Sequence, residues 1–382
     1  MSLQSRLITL GVPLSEYNSQ NNHPKLMSPV KLQPDQNSEM YFFDSKTMDS
    51  ELGDVFWVVK WINKKLFVGD KCNYLIQRVE ERKARGHVNL QILVVDRGDS
   101  SSFHKTGCPE RIAALIGRQH LYLAVRNLVQ HRNYGCLSMT QPTCFEDNKA
   151  FSDLYGEPWD YSQLPFAQYI RDGCIAKVDF PVRESLHSKI QDRLDQLNTS
   201  TVDQIQRQDV AHFWNIEPND KYGQLRNRVT EAIQDLIQSS GTTGTAGLVS
   251  TRGKVGRVSV ADDYVDGLIR HKIIVVAQRD HWEGHLRLME ALISGALVMT
   301  DPVMHLPAGY RNGYNIVVYA SLADLKEKIT YYSSPDGAVV RREVAQRGKQ
   351  LALEHHKPDD MYRRLILGHW PQNCSNPVVD LI

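Results

Sequence analysis

The sequence has no apolar run of the about 18 residues that a bilayer-spanning helix needs, so no integral membrane span is expected. It has no excess of either charge: 45 Lys and Arg stand against 44 Asp and Glu, a formal net charge of +1. That balance argues against a dedicated nucleic-acid binder, which carries a basic excess, and leaves room for a local phosphate pocket. Its six cysteines form no C-x-x-C pair, and the chain is too large to need staples, so neither a zinc knuckle nor a disulfide scaffold is expected. Cys136 and Cys144 are the pair closest in sequence. The stretch Met1 to Tyr17 lacks the basic-then-apolar pattern of a secretory leader. The default address is therefore cytoplasmic, with the Golgi or ER lumen as the alternative if an anchor lies outside this chain. There, the N-x-S/T triplets at Asn198 and Asn373 would matter.

What is present is enough apolar material for a sizeable core: 41% of 382 residues, with 23% charged. The length corresponds to about two domains. Residues 1–50, rich in Asn, Gln, Ser and Pro, are expected to form a loose or peripheral arm. From there strand and helix patterns alternate. Val55–Val59 reads as a strand, Cys72–Arg85 as a helix and Val88–Asp96 as a buried strand, a unit that points to a parallel sheet covered by helices. Arg183–Asn198, with Leu186, Ile190 and Leu194 at helical spacing, reads as a linker helix closing a first half at 51–200. The pattern restarts with a strand at Asp209–Trp214 and an amphipathic helix at Tyr222–Ser239, giving a second half at 205–382. Ser239–Gly247, SSGTTGTAG, reads as a flexible loop. The expected fold class is α/β, with two Rossmann-like domains facing across a cleft.

The chemistry concentrates in Ile273–Asp301, IIVVAQRDHWEGHLRLMEALISGALVMTD. A strand ends at Ala277, and a polar turn follows where open α/β sheets bind ligands. A helix then begins near Gly284, with first-turn N–H groups suited to a phosphate. Arg287, Glu290 and Ser294 share one face of that otherwise apolar helix. Arg287 offers a fork of donors to phosphate oxygens, and Glu290 offers two acceptors to vicinal hydroxyls. The alternative for this pair is a structural ion pair on a solvated face. His281 and His285 flank the turn and are suited to acid–base work or to contact with an acceptor. His212 ends the strand that opens the second half.

The run Arg287-Leu288-Met289-Glu290-Ala291, then Gly295, then Asp301, resembles the donor-site motif of nucleotide-sugar glycosyltransferases with the GT-B architecture, and within them the CgeB-type, family-1-like group. The resemblance spans roughly residues 205–367. It implies that Glu290 holds the ribose, that Arg287 neutralises the diphosphate leaving group, and that Glu283 faces the sugar. Glu283, Arg287 and His281 are then the expected catalytic set. Arg279, Gly284, His285 and His212 join Arg287 and Glu290 in binding the donor. The family's E-x7-E spacing is not met, because six residues separate Glu283 from Glu290, so a retaining mechanism does not carry over. No D-x-D triplet occurs, which agrees with a metal-independent reaction and no metal ligands. The expected co-substrate is a nucleotide-diphosphate sugar, with no separate cofactor, and the expected acceptor is a carbohydrate, glycoprotein or small molecule. The enzyme would be of the hexosyl- or pentosyltransferase class. Rival readings are a nucleotide-sugar epimerase or hydrolase on the same fold, and an inactive binding or scaffold protein.

Overall fold

The computed structural model describes residues 17–18, 23–24, 30–31, 41–42, 56–61, 68–84, 86, 91–96, 108–117, 120–125, 175–177, 180–199, 201–219, 224–247, 261–277, 286–301 and 306–357. By its internal contacts the chain divides into two compact units. One comprises Met1–Leu137, Asp160–Asp179 and Pro358–Ile382, and the other Ser138–Trp159 and Phe180–Lys357.

In the first unit, Tyr17–Asn18 pairs with His23–Pro24 and Val30–Lys31 with Tyr41–Phe42, so the expected arm contains two short antiparallel ladders. Beyond it, β1 (Phe56–Trp61), β2 (Gln91–Asp96), β3 (Leu121–Val125) and β4 (Ile175–Lys177) form a parallel sheet in chain order. Parallel neighbours need crossovers, and the sequence supplies helices: α1 (Val68–Ala84) and α2 (Cys108–Ile116). Cys72, Ile76 and Val79 bury one face of α1, and Cys108 and Ile112 bury one face of α2. Cys72 and Cys108 form a disulfide with a Cα–Cα distance of 5.6 Å. One bond is not a disulfide scaffold, and the cysteine spacing does not foretell this pairing. Composition says that a large chain does not need one, but the two helical faces pack together and bring the thiols within bonding range. Cys136 and Cys144 lie outside the described residues.

The second unit holds a five-stranded, wholly parallel sheet of β5 (Gln208–His212), β6 (Gly244–Ala246), β7 (His271–Val276), β8 (Leu297–Thr300) and β9 (Val317–Val318), in the order β6-β5-β7-β8-β9. The central runs, Ile273–Ala277 and Leu297–Thr300, are buried throughout, as strands covered on both faces must be. Strand order reverses at β5, so the carboxyl ends of β5 and β7 flank a topological switch point. The glycine-rich stretch expected as a loop carries β6 instead. A Cβ at Gly244 would lie 2.2 Å from the Val210 carbonyl oxygen, so only glycine brings the two backbones that close.

The helices are α3 (Glu184–Gln196), α4 (Gln224–Ser240), α5 (Asp262–Ile269), α6 (Leu286–Ile293), α7 (Leu322–Ser333) and α8 (Ala338–His355). The helix expected as a linker, α3, belongs to this unit's core. Its Leu186, Ile190 and Leu194 are buried in one cluster with Val265, Leu268, Leu292 and Val298, so the apolar face that suggested a linker is a packing face. Each fully buried large apolar side chain contributes about 1.5–3 kcal/mol, which ties α3 and α6 to the sheet. Gly295 follows α6 at φ 81°, the left-handed position that glycine favours at a helix end. The two ends of 180–357 lie side by side, because the Val182 N–H donates to the His356 carbonyl at 2.7 Å.

Candidate functional site

The residues expected to act together are partly within view. Arg287, Glu290, His212 and Asp301 are described, whereas Arg279, His281, Glu283, Gly284 and His285 lie outside the described residues. Helix α6 carries Arg287 and Glu290 from one turn to the next, and β5 ends on His212.

At the switch point lies a narrow recess. His212, Phe213, Trp214, Arg226, Tyr264, Val276, Ala277 and Arg287 line it, with Ile274, Val275, Leu268 and Ala291 behind. Two guanidiniums face it. Arg287, half-buried, donates to the Phe213 carbonyl. Arg226, from α4, is buried, donates through Nε to the Ala277 carbonyl at 2.9 Å, and stacks 4.7 Å over the Trp214 ring. Trp214 is itself held, its indole N–H donating to Asn227 Oδ1 at 3.0 Å and its carbonyl accepting from Thr230 at 3.0 Å.

His212 is 4% exposed. Its Nδ1 lies 2.8 Å from the Val275 carbonyl and therefore carries the proton, while Nε2 is buried without a hydrogen-bond partner. Burial lowers its pKa to about 4. The Val275 bond opposes that shift, the charges of Arg226 and Arg287 add to it, and the Arg226 backbone opposes it. At neutral pH the ring is uncharged.

Glu290 is 4% exposed, so it is not part of a solvated face. Arg183, just before α3, donates to Oε1 at 3.1 Å, and the Tyr264 hydroxyl of α5 donates to Oε2 at 2.7 Å. Tyr264 is partly exposed along its ring, but desolvation of the hydroxyl and the adjacent Glu290 charge push its pKa well above the usual phenol value. Each carboxylate oxygen keeps a further lone pair for a ligand. Ser294, expected on the same polar stripe, is fully buried and donates to the Ala291 carbonyl at 2.6 Å, which keeps it within its own helix end. Asp301 is buried at the end of β8.

The sequence reading did not find Arg183, Arg226, Trp214 or Tyr264. Arg183 lies 107 residues from Glu290 and Tyr264 lies 26 away, so no helical or strand period relates them. Arg226 had a local signal, a charged residue on the apolar side of α4 beside Leu225 and Val229. Among the described residues, no group of three or more His, Cys, Asp or Glu is placed to hold a metal ion. No described helix is long and apolar enough to cross a membrane.

No curated protein matches the chain. Among solved structures, it is similar to the C-terminal domain of a glycosyl transferase group 1 family protein, LpcC, from Francisella tularensis. The two are 18% identical, with 47% of this chain and 98% of that one covered and a TM-score of 0.31. It is also similar to HepE from Anabaena, solved in complex with UDP, at 11% identity, 82% and 98% coverage and a TM-score of 0.39. A third likeness is to sucrose-phosphate synthase from Thermosynechococcus elongatus, at 10% identity, 80% and 78% coverage and a TM-score of 0.42. These structural likenesses are remote. The CgeB-type subgroup is not distinguished by any of these comparisons. The segment 244–366, which carries β6 to α8 and with them Arg287 and Glu290, matches the model of the glycosyl transferase-like family.

Proposed function

We propose that the chain is a glycosyltransferase of GT-B type, and that its second unit binds a nucleotide-diphosphate sugar in the recess at the switch point. The observation that carries this reading is the convergence of Arg226, Arg287 and a neutral His212 at the carboxyl ends of β5 and β7, with Arg287 inside the segment that has the family match. Two guanidiniums in a desolvated recess favour a doubly charged group such as a diphosphate. Charge grows on that group as the glycosidic bond breaks, so fixed cations there stabilise the transition state more than the ground state. His212, an acceptor, takes a hydroxyl of the donor rather than a phosphate oxygen. Glu290, oriented by Arg183 and Tyr264, offers its remaining lone pairs to the ribose diol. Glu283 and His281 are proposed to join Arg287 in catalysis, and Arg279, Gly284 and His285 to join in binding the donor.

The reaction is proposed to need no metal, because the arginines supply the charge. The acceptor is a carbohydrate, glycoprotein or small molecule. The Cys72–Cys108 bond favours a luminal address over a cytoplasmic one, because disulfides persist in oxidising compartments.

A thermal-shift and calorimetric screen against UDP, GDP, ADP, CMP and their sugars tests the donor site. A nucleotide diphosphate should stabilise the protein, and Arg287→Ala should weaken its binding at least about tenfold, the loss of one charge-assisted contact. Silence towards every nucleotide would refute the reading. Product analysis with an added acceptor then separates transfer from epimerisation or hydrolysis.

A further inference from the structure

A second cluster of cations lies at the opposite ends of the same strands. Arg207 directly precedes β5, and its side chain is only 6% exposed. Its Nη2 donates to the carbonyl of His271, the first residue of β7, and its Nε is buried with no partner. The acid nearest to it, Asp203, stands 3.6 Å from Nη1 and is 55% exposed, so it offsets little of that charge. Helix α8 presents Arg341, Ala345 and Lys349 at intervals of four residues, one stripe with a small residue at its centre. Arg341 is 9% exposed and donates to the Tyr332 carbonyl. The Lys349 ammonium lies 3.9 Å from where a Cβ would stand on Gly295, and Val202, next to Asp203, lies 3.0 Å from the same point. Lys349 is therefore beside the turn that carries Asp203.

Among the described residues, Asp203 is the sole carboxylate in salt-bridge reach of these three cations. Asp209, on β5, is already engaged by Lys272 at 2.7 Å and by Thr243. Arg342, beside Arg341, adds positive charge. Buried charges are ordinarily paired, and here positive charge outnumbers its partners. Burial depresses all three groups and Arg341 depresses Arg207 further, while Asp203 opposes the shift in each and Asp209 opposes it for Arg341.

We propose that Arg207, Arg341 and Lys349 form a second anion site, at the amino ends of the sheet, for a phosphate oxyanion, with half-exposed Lys349 as its outer contact. The site is separate from the recess at the carboxyl ends and does not depend on the donor reading.

The test uses the full chain, titrated with inorganic phosphate by calorimetry and thermal melting, against sodium chloride at equal ionic strength. The wild type should bind phosphate saturably. In an Arg287→Ala background, where the recess no longer contributes, phosphate should still bind saturably, and Lys349→Met, which keeps the aliphatic stem, should weaken that binding about tenfold. Glycerol phosphate in a parallel titration distinguishes the source. Tighter binding than inorganic phosphate assigns a phosphorylated metabolite, and equal or weaker binding assigns free phosphate. The proposal is overturned if phosphate acts no differently from chloride, if Lys349→Met leaves binding in the Arg287→Ala background unchanged, or if Arg287→Ala abolishes the binding. Because Arg207 is buried and its replacement risks the fold, Lys349→Met carries the decision.

Discussion

Glu290 is bound on both oxygens before any ligand arrives, and this makes its two roles separable. Glu290→Gln removes the counter-charge of Arg183 and should cost about 3 kcal/mol of stability, the usual effect of breaking a buried pair from one side. Tyr264→Phe deletes one donor and should cost about 1–2 kcal/mol. Denaturant melts of the two variants check the ranking. If Tyr264→Phe lowers nucleotide affinity but has no further effect in a Glu290→Gln background, Tyr264 acts on the ligand through the carboxylate it orients. Arg287 and Glu290 were legible because a three-residue interval on an apolar helix is a local signal, and His212 because it ends a strand. Their partners were not. Arg183, Arg226 and Tyr264 come from three other helices or their approaches, and only tertiary packing brings them to α6.

Elements were easier to read than their company. The strands β5 and β7 and the helices α4 and α6 follow from apolar runs and helical spacing. Two readings failed for one reason. Both the SSGTTGTAG stretch and α3 were judged by their own composition, whereas a neighbour decides their state. At Gly244 the neighbour is the Val210 backbone. Gly244→Ala forces a Cβ into a carbonyl oxygen and should destabilise the unit by about 1–3 kcal/mol, measurable by thermal denaturation. Caps behave more simply. Ser321 accepts the Asp324 N–H at 3.1 Å, and Ser321→Ala should cost about 1 kcal/mol. In the first unit, the Cys72–Cys108 bond closes a span of 36 residues. Chain entropy predicts that reducing it costs about 4 kcal/mol, so a reductant should lower the melting temperature, and Cys72→Ala with Cys108→Ala should melt as the reduced wild type does.

For the whole molecule, a net charge of +1 hides cations gathered at both ends of one sheet. Its pH response follows from buried histidine. His212 titrates near pH 4 when folded and near 6.5 when unfolded, so between those values the unfolded chain binds more protons. Stability from this group is complete above about pH 6.5 and is lost as pH falls towards 4, by about 3 kcal/mol in all. His271, lowered chiefly by burial, acts in the same direction. Urea melts from pH 7 to pH 4 should show this decline, and His212→Asn should flatten part of it.

The bond from Val182 to His356 has a consequence for how such a chain could have been assembled. Because 180–357 begins and ends at one place, it behaves topologically as a cassette. Its removal leaves a gap that a short link can close, and its transfer brings the recess, α6 and the cation stripe of α8 together. Recombination could exchange this segment as one piece, which would let it and the rest of the chain diverge on separate histories.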